Sequence, residues 1–234
     1  MKIQRLRFRY RVTAAASDLR HRDVTDAWEA ALRAAELPVA FSEGKRATAQ
    51  ISLGAPLPQG ATSDWELIDV FFAERMDPRK VLCALPSHFP AGIEPVAVEE
   101  LGVAGPSLQS QLRWAEYTAD VPAGDRSEAE VREAIAQTLT ARTLPAEYRR
   151  ETKVRHYDLR PLILDLRLDG SSDGHFKLRM KLRAEPENTA RADQTVLALG
   201  LPVPSHIHRV HLHTEDIPAG IAAYRRAGSP ARVT

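Results

Sequence analysis

Between Ile3 and Val12 the chain alternates: Leu6, Phe8, Tyr10 and Val12 fall on one parity, Arg5, Arg7, Arg9 and Arg11 on the other. Successive side chains of an extended strand point to opposite faces, so this pattern predicts a strand with one apolar and one basic face. The same pattern returns late in the chain, where Phe176, Leu178, Met180 and Leu182 alternate with Lys177, Arg179, Lys181 and Arg183. Both segments require a sheet covered by helices on its apolar face.

The helices are legible between the strands. Val24, Ala27, Trp28, Ala31, Leu32 and Ala35 recur at helical spacing, with Asp23 placed as an N-cap and Pro38 past the end. Gln50 to Leu57 and Trp65 to Ala73 read as strands. Asp77-Pro78 opens a short helix with Val81, Leu82 and Leu85, and Ile93 to Leu101 is extended again. After Gly102 to Pro106, which reads as a linker, the order repeats. Leu108 to Val121 is extended, and Ser127-Glu128-Ala129-Glu130 is a capping box opening a helix with Val131, Ala134, Ile135, Thr138 and Leu139 on one face. His156 to Leu168 reads as one strand with Leu162, Leu164, Leu166 and Leu168 on a single face, followed by a turn at Asp169 to Gly174 and the basic strand. A short helix at Ala192 to Leu199 stops at Gly200, and His206 to His213 is the last strand.

Each half therefore has the order β-α-β-β-α-β, which is that of a ferredoxin-like sandwich with helices on one sheet face. The predicted fold class is α+β, two tandem ferredoxin-like sandwiches at residues 1–104 and 105–213, with residues 214–234 as a tail.

Composition enters where partners are concerned. Of 234 residues, 32 are Lys or Arg and 31 Asp or Glu, a formal charge of +1, which argues against a polyanion partner if charge is spread evenly. Strand parity argues otherwise. Arg5, Arg7, Arg9 and Arg11 are expected on the open face of one sheet, and Lys177, Arg179, Lys181 and Arg183 on that of the other, joined by Arg167, Arg209, His211 and His213. Alternate residues of a strand are about 7 Å apart, near the phosphate spacing of a nucleic-acid strand, so such rows suit RNA phosphates. The aromatic residues by which an RNA-recognition motif stacks bases are not seen at the expected strand positions: Phe176 falls on the apolar face. Open sheet faces are also charged simply for solubility, and a basic face equally suits an acidic protein partner.

Catalytic signatures are few. No Walker loop, serine-nucleophile elbow, HExxH or GxGxxG occurs, and the single cysteine, Cys83, rules out a cysteine-rich zinc or iron–sulfur set and is expected in the core. His206, His208, His211 and His213 divide between two strand faces, so no metal site is expected. His21, two residues before Asp23, is the candidate general base of an RNA-processing or modifying enzyme, with helix entry as the plainer role. No apolar run approaches a membrane span and the N-terminus lacks a signal-like apolar stretch, so a cytoplasmic location is expected. No cofactor is implied.

The run Leu19-Arg20-His21-Arg22-Asp23, then Trp28 and Leu37-Pro38, then Ser42, Gly44, Gly60, Ser63 and Glu66, together with Tyr157-Asp158-Leu159-Arg160-Pro161, resembles a bacterial family of radical-SAM-linked proteins, free-standing or C-terminal to B12-binding-type radical SAM proteins. The resemblance implies a setting in RNA modification or processing, since members are often encoded near a ribonuclease of the G/E type and ribosomal protein genes. It implies tRNA or rRNA as partner, with a radical SAM protein or ribonuclease alongside. It carries no assigned reaction. Where the family has a Gly-Phe-Asn-Pro-His-Pro run, this chain has Gly44-Lys45-Arg46-Ala47-Thr48-Ala49, which removes the second family histidine and adds Lys45 and Arg46 as candidate phosphate contacts.

Overall fold

The apolar parity of the first strand forms the core face of its sheet. In the computed structural model, which describes residues 1–43, 47–150, 153–215 and 223–225, strand β1 (Gln4–Val12) seals Leu6, Phe8, Tyr10 and Val12 at 4% exposure or less. Helix α1 (His21–Ala34) packs Val24, Trp28, Ala31 and Leu32 onto this face. The Trp28 ring meets Phe8, Tyr10 and Phe89 at centroid distances of 5.4, 5.3 and 4.7 Å. Burial of so large a ring is among the strongest single stabilising terms a small core has.

Two compact units divide the chain, residues 1–111 with 214–234 and residues 112–213. In the first, β1 pairs antiparallel with β3 (Thr62–Phe72) and with β4 (Ile93–Leu101). Strand β2 (Ile51–Leu53) lies on β3, helix α2 (Pro78–Ala84) joins β3 to β4, and a short strand β11 (Ala223–Arg225) pairs with β4, inside the segment expected to be a tail. The order across this sheet is β11-β4-β1-β3-β2. Gly92, at the entry to β4, has φ of +96°, and a Cβ there would stand 2.6 Å from the Ala16 backbone nitrogen, so only glycine fits.

The expected linker lies inside this unit. Helix α3 (Leu108–Gln111) begins where a strand is predicted, and Gln109 ties it to β2: its Oε1 accepts from Ser52 Oγ at 2.9 Å and its amide donates to the Leu53 carbonyl. These bonds, with those of Arg5 to the carbonyls of Gly105 and Pro106, hold residues 105–111 on the first unit, and the division falls after Gln111 instead of after residue 104.

The second unit consists of β5 (Leu112–Pro122), α4 (Glu128–Thr140), a hairpin of β6 (Pro145–Arg150) and β7 (Lys153–Asp158), then β8 (Ile163–Ser172), β9 (His175–Arg183), α5 (Ala192–Ala198) and β10 (His206–Thr214). Its sheet order is β10-β5-β9-β8, with β9 antiparallel to both β5 and β8, while β6 and β7 form a two-stranded sheet of their own. The run predicted as one strand from His156 to Leu168 is thus split. A turn at Arg160–Leu162, which Pro161 favours, separates β7 from β8, and a register shift between Ile163 and Asp165 leaves Leu164 40% exposed while Ile163 and Leu166 are buried. The β8–β9 turn is confined to Asp173 and Gly174, both at positive φ, the geometry that matches strand twist in a two-residue hairpin.

Cys83 is exposed, not buried: on α2 the core contacts go to Val81, Leu82 and Leu85, and the residue after Leu82 turns to solvent. Asp23 is not the N-cap. Helix α1 begins at His21, and Asp23 sits in its first turn, its carboxylate accepting from the Arg20 backbone N–H at 2.9 Å, which still satisfies an orphan donor of the helix start.

Candidate nucleic-acid interface

The two basic rows meet different fates. Arg5, Arg7 and Arg9, expected on an open face, are 2, 3 and 6% exposed. Register puts Asp69 of β3 directly opposite Arg7, and its carboxylate takes Nε and Nη2 of both Arg5 and Arg7 at 2.5–3.0 Å. The remaining donors reach the carbonyls of Gly105 and Pro106 from Arg5 and the Gln111 Oε1 from Arg7. The flat faces of Arg5 and Arg9 rest on Phe71 and Trp65, 5.6 and 4.1 Å from the ring centroids. These three side chains build the first unit and do not offer their guanidinium groups to phosphate. For Arg5 and Arg7 the reason is Asp69, which pairs with both, and the segment 105–111, which takes further donors of each; Arg9 lies over Trp65. Arg11, at the strand end, stays 27% exposed beside Asp64. Arg209 is likewise buried at 1% exposure, its guanidinium against the Tyr117 ring and donating to Tyr117 Oη at 2.9 and 3.1 Å.

In the second unit the expected alternation holds in space. Phe176, Leu178, Met180 and Leu182 are 2% exposed or less, while Lys177 is exposed and Arg179, Lys181 and Arg183 are half-buried on the other face of β9. Arg167 on β8 is opposite Arg179, and Asp169 takes both guanidinium groups, at 3.1 and 2.9 Å. Arg183 pairs with Glu185 at 2.8 Å. Ion pairs this exposed are worth about 0–1 kcal/mol, so a phosphate can replace the acid at little cost.

On the same face stand three rings: His211 and His213, expected to join the basic row, and Trp114, which parity alone did not single out. Trp114, opposite Arg183 on β5, stacks on His213 at 4.7 Å, and His213 stacks on His211 at 3.9 Å. Lys181 Nζ lies 4.3 Å above the Trp114 ring, and His213 Nε2 meets Glu116 Oε1 at 3.1 Å. Partial burial lowers the His213 imidazole below the usual histidine range, more than Glu116 raises it. His211 and His213 lie ring on ring, and among the described residues no cluster of His, Cys, Asp and Glu could hold a metal ion. The available sequence signal was the cross-strand partner: an aromatic at 114, one residue before an alternating apolar run.

The motif residues of the first half collect elsewhere. His21 and Glu66 line one narrow crevice with Tyr10, Ser17, Leu53 and Leu57, with room for about one water-sized group. Glu66 is opposite Tyr10 on the apolar face of β3 and only 3% exposed, and Gly60, at φ of +83°, donates its N–H to the Ser17 carbonyl beside the crevice. Ser63 is buried and its Oγ accepts from the Trp65 N–H; the Ser42 Oγ accepts from the Thr48 N–H across its loop. Gly44, Lys45 and Arg46 lie outside the described residues. Asp23 is committed to the helix start and does not orient His21. In the second half, Asp158 and Arg160 close the root of the β6–β7 hairpin. The Asp158 carboxylate accepts from the Leu144 and Arg160 backbone N–H groups, and the Arg160 guanidinium donates to the Leu139 and Ile163 carbonyls.

Fold and surface together define an α+β protein of two antiparallel-sheet units, the first with Arg5, Arg7 and Arg9 sealed, the second with an open face on which stacked rings stand beside cations interleaved with acids. The chain belongs to the DUF2344 family, described as an uncharacterised protein conserved in bacteria, whose model matches residues 5–192. No curated protein matches its sequence. Among solved structures it is similar to a chain of a Cbf5-Nop10-Gar1 complex (13% identity, TM-score 0.48, 89% of this chain and 50% of that one). It is also similar to chains of an archaeal box H/ACA sRNP Nop10-Cbf5 complex (11%, 0.44, 88% and 48%) and of an H/ACA RNP bound to a substrate RNA containing 2'-deoxyuridine (13%, 0.43, 86% and 46%). The chain spans about half the length of each. Among the described residues no helix is long and apolar enough to cross a membrane.

Proposed function

We propose that this is an RNA-binding or adaptor protein of RNA modification or processing, which holds RNA on the open sheet face of its second unit and serves a radical SAM protein or a ribonuclease. One observation carries the reading: Lys177, Arg179, Lys181, Arg183 and Arg167 share that face with the stacked Trp114, His213 and His211. Cations for phosphates beside π-faces for bases are what a single-stranded nucleic acid needs. Each unit reads as a ferredoxin-like sandwich. Support comes from the strand orders β4-β1-β3-β2 and β10-β5-β9-β8, each the split βαβ arrangement, with the β6–β7 hairpin inserted in the second.

Filter binding to bulk tRNA across a salt series tests the reading. The wild type is expected to lose affinity steeply with salt, and Lys177→Gln with Lys181→Gln to flatten the log–log slope by roughly 1.5. Trp114→Leu is expected to weaken binding about tenfold with the slope kept, since stacking is worth roughly 1–3 kcal/mol per base. Wild-type binding that is absent, or indifferent to both changes, overturns it.

A further inference from the structure

RNA binding by the second unit leaves the crevice of the first unit without a role, although its walls are those of a built site. Glu66, opposite Tyr10 on the apolar face of β3, is only 3% exposed. Tyr10, Val12 and Leu53 beside it are buried, whereas Leu19 and Leu57 are half-buried and His21 is exposed. The carboxylate therefore stands at the inner end of the crevice and the start of α1 at its mouth. The loop that forms one wall is fastened to its surroundings. Gly54 N–H bonds to the Leu67 carbonyl at 2.9 Å, Gly60 N–H to the Ser17 carbonyl at 2.8 Å and the Gln59 side-chain amide to the Asp18 carbonyl at 3.3 Å. A crevice shaped by its own backbone bonds loses little to ordering when a ligand enters.

Charge, width and lining restrict the occupant. Among the described residues that line the crevice Glu66 is the one acid, and it is set among apolar side chains, where little water screens its attraction for a cation. A carboxylate has about four acceptor positions, so it can take N–H groups from an occupant as well as from the protein. The inner space admits about one water-sized group, too narrow for a nucleobase or a flat guanidinium fork. Val12, Leu53 and Leu57 on the walls suit methylene groups and offer no second charge.

We infer that this crevice binds the ammonium end of an unbranched primary alkylamine, Glu66 accepting its N–H groups while the alkyl stem lies along Val12, Leu53 and Leu57. The test titrates n-butylammonium into the isotope-labelled full chain and follows backbone amide shifts. Two further probes separate charge from width: n-butanol has the same stem without the charge, and tert-butylammonium the charge on a wider stem. Glu66→Gln keeps the size of the side chain and removes its charge, and its thermal midpoint verifies the fold.

The wild type is expected to bind n-butylammonium with a Kd of about 1 mM, with shifts confined to the amides around Gly54, Ala55, Leu57 and Glu66. Both other probes, and n-butylammonium with Glu66→Gln, are expected to bind about tenfold more weakly or worse. No shift in the wild type at ten times that concentration overturns the site. Equal binding of n-butanol or tert-butylammonium overturns it in favour of an unselective apolar cleft, and wild-type affinity in a folded Glu66→Gln overturns it as well. If that variant does not fold, the three probes on the wild type and the position of the shifts decide alone. Shifts that fall on β9 and β10 instead overturn the crevice and leave RNA binding by the second unit to its own test.

Discussion

At the scale of single residues, the decisive one is Asp69. Arginine at every second position of β1 has the pattern of a solvent-facing row, and nothing local distinguishes it from Lys177 to Arg183 on β9. What differs is the residue opposite: Asp69 binds two guanidinium groups, and the carbonyls of Gly105 and Pro106 and the side chain of Gln111 take up others. Removing the acid leaves two buried cations with one charge partner fewer. Asp69→Asn is therefore expected to cost about 3–5 kcal/mol in urea unfolding, whereas Arg5→Met/Arg7→Met/Asp69→Leu together are expected to cost far less or nothing. If Asp69→Asn unfolds like the wild type, the network is not what holds this face.

At the scale of elements, α1, α2, α4 and α5 were legible because a 3.6-residue apolar period and cap residues are local properties. The α4 capping box is the clearest: Ser127 Oγ accepts from the Glu130 N–H and the Glu130 carboxylate accepts from the Ser127 N–H at 2.7 Å. Ser127→Ala is expected to lower stability by about 1 kcal/mol, measured by chemical denaturation, with the β8 packing kept. The hairpin was not legible. Leucines at 162, 164, 166 and 168 mimic one continuous strand face, and the turn at Arg160–Leu162 and the register shift after Ile163 break that parity. Both depend on hydrogen-bond partners, Leu139, Leu144 and Ile163, spread over some two dozen residues of chain.

At the scale of the molecule, near-neutral total charge conceals a sorted distribution in which some cations are sealed and others displayed. The ring stack gives this a pH signature. Because burial lowers His213 in the folded protein, more than Glu116 offsets it, folding favours the neutral imidazole. Its contribution is full above the unfolded value of about 6.5 and is lost as pH falls through the lower folded value. The thermal midpoint is thus expected to fall on acidification from pH 7.5 to 5.5, and to fall less in His213→Gln. Equal falls in the two proteins would exclude His213 as the source.

The sequence by itself determined what periodicity and capping can encode: the alternating strands β1 and β9, the order of helices and strands from β1 to β4, and the apolar faces of α1 and α4. Only the tertiary structure decided which polar face stays open. Alternation specifies two faces and not what covers them. Asp69 and residues 105–111 reach Arg5 and Arg7 from far along the chain, while on β9 the cations keep solvent on one side and stacked rings beside them. Exposure is a property of what else the chain brings near, and a charge's function follows from exposure.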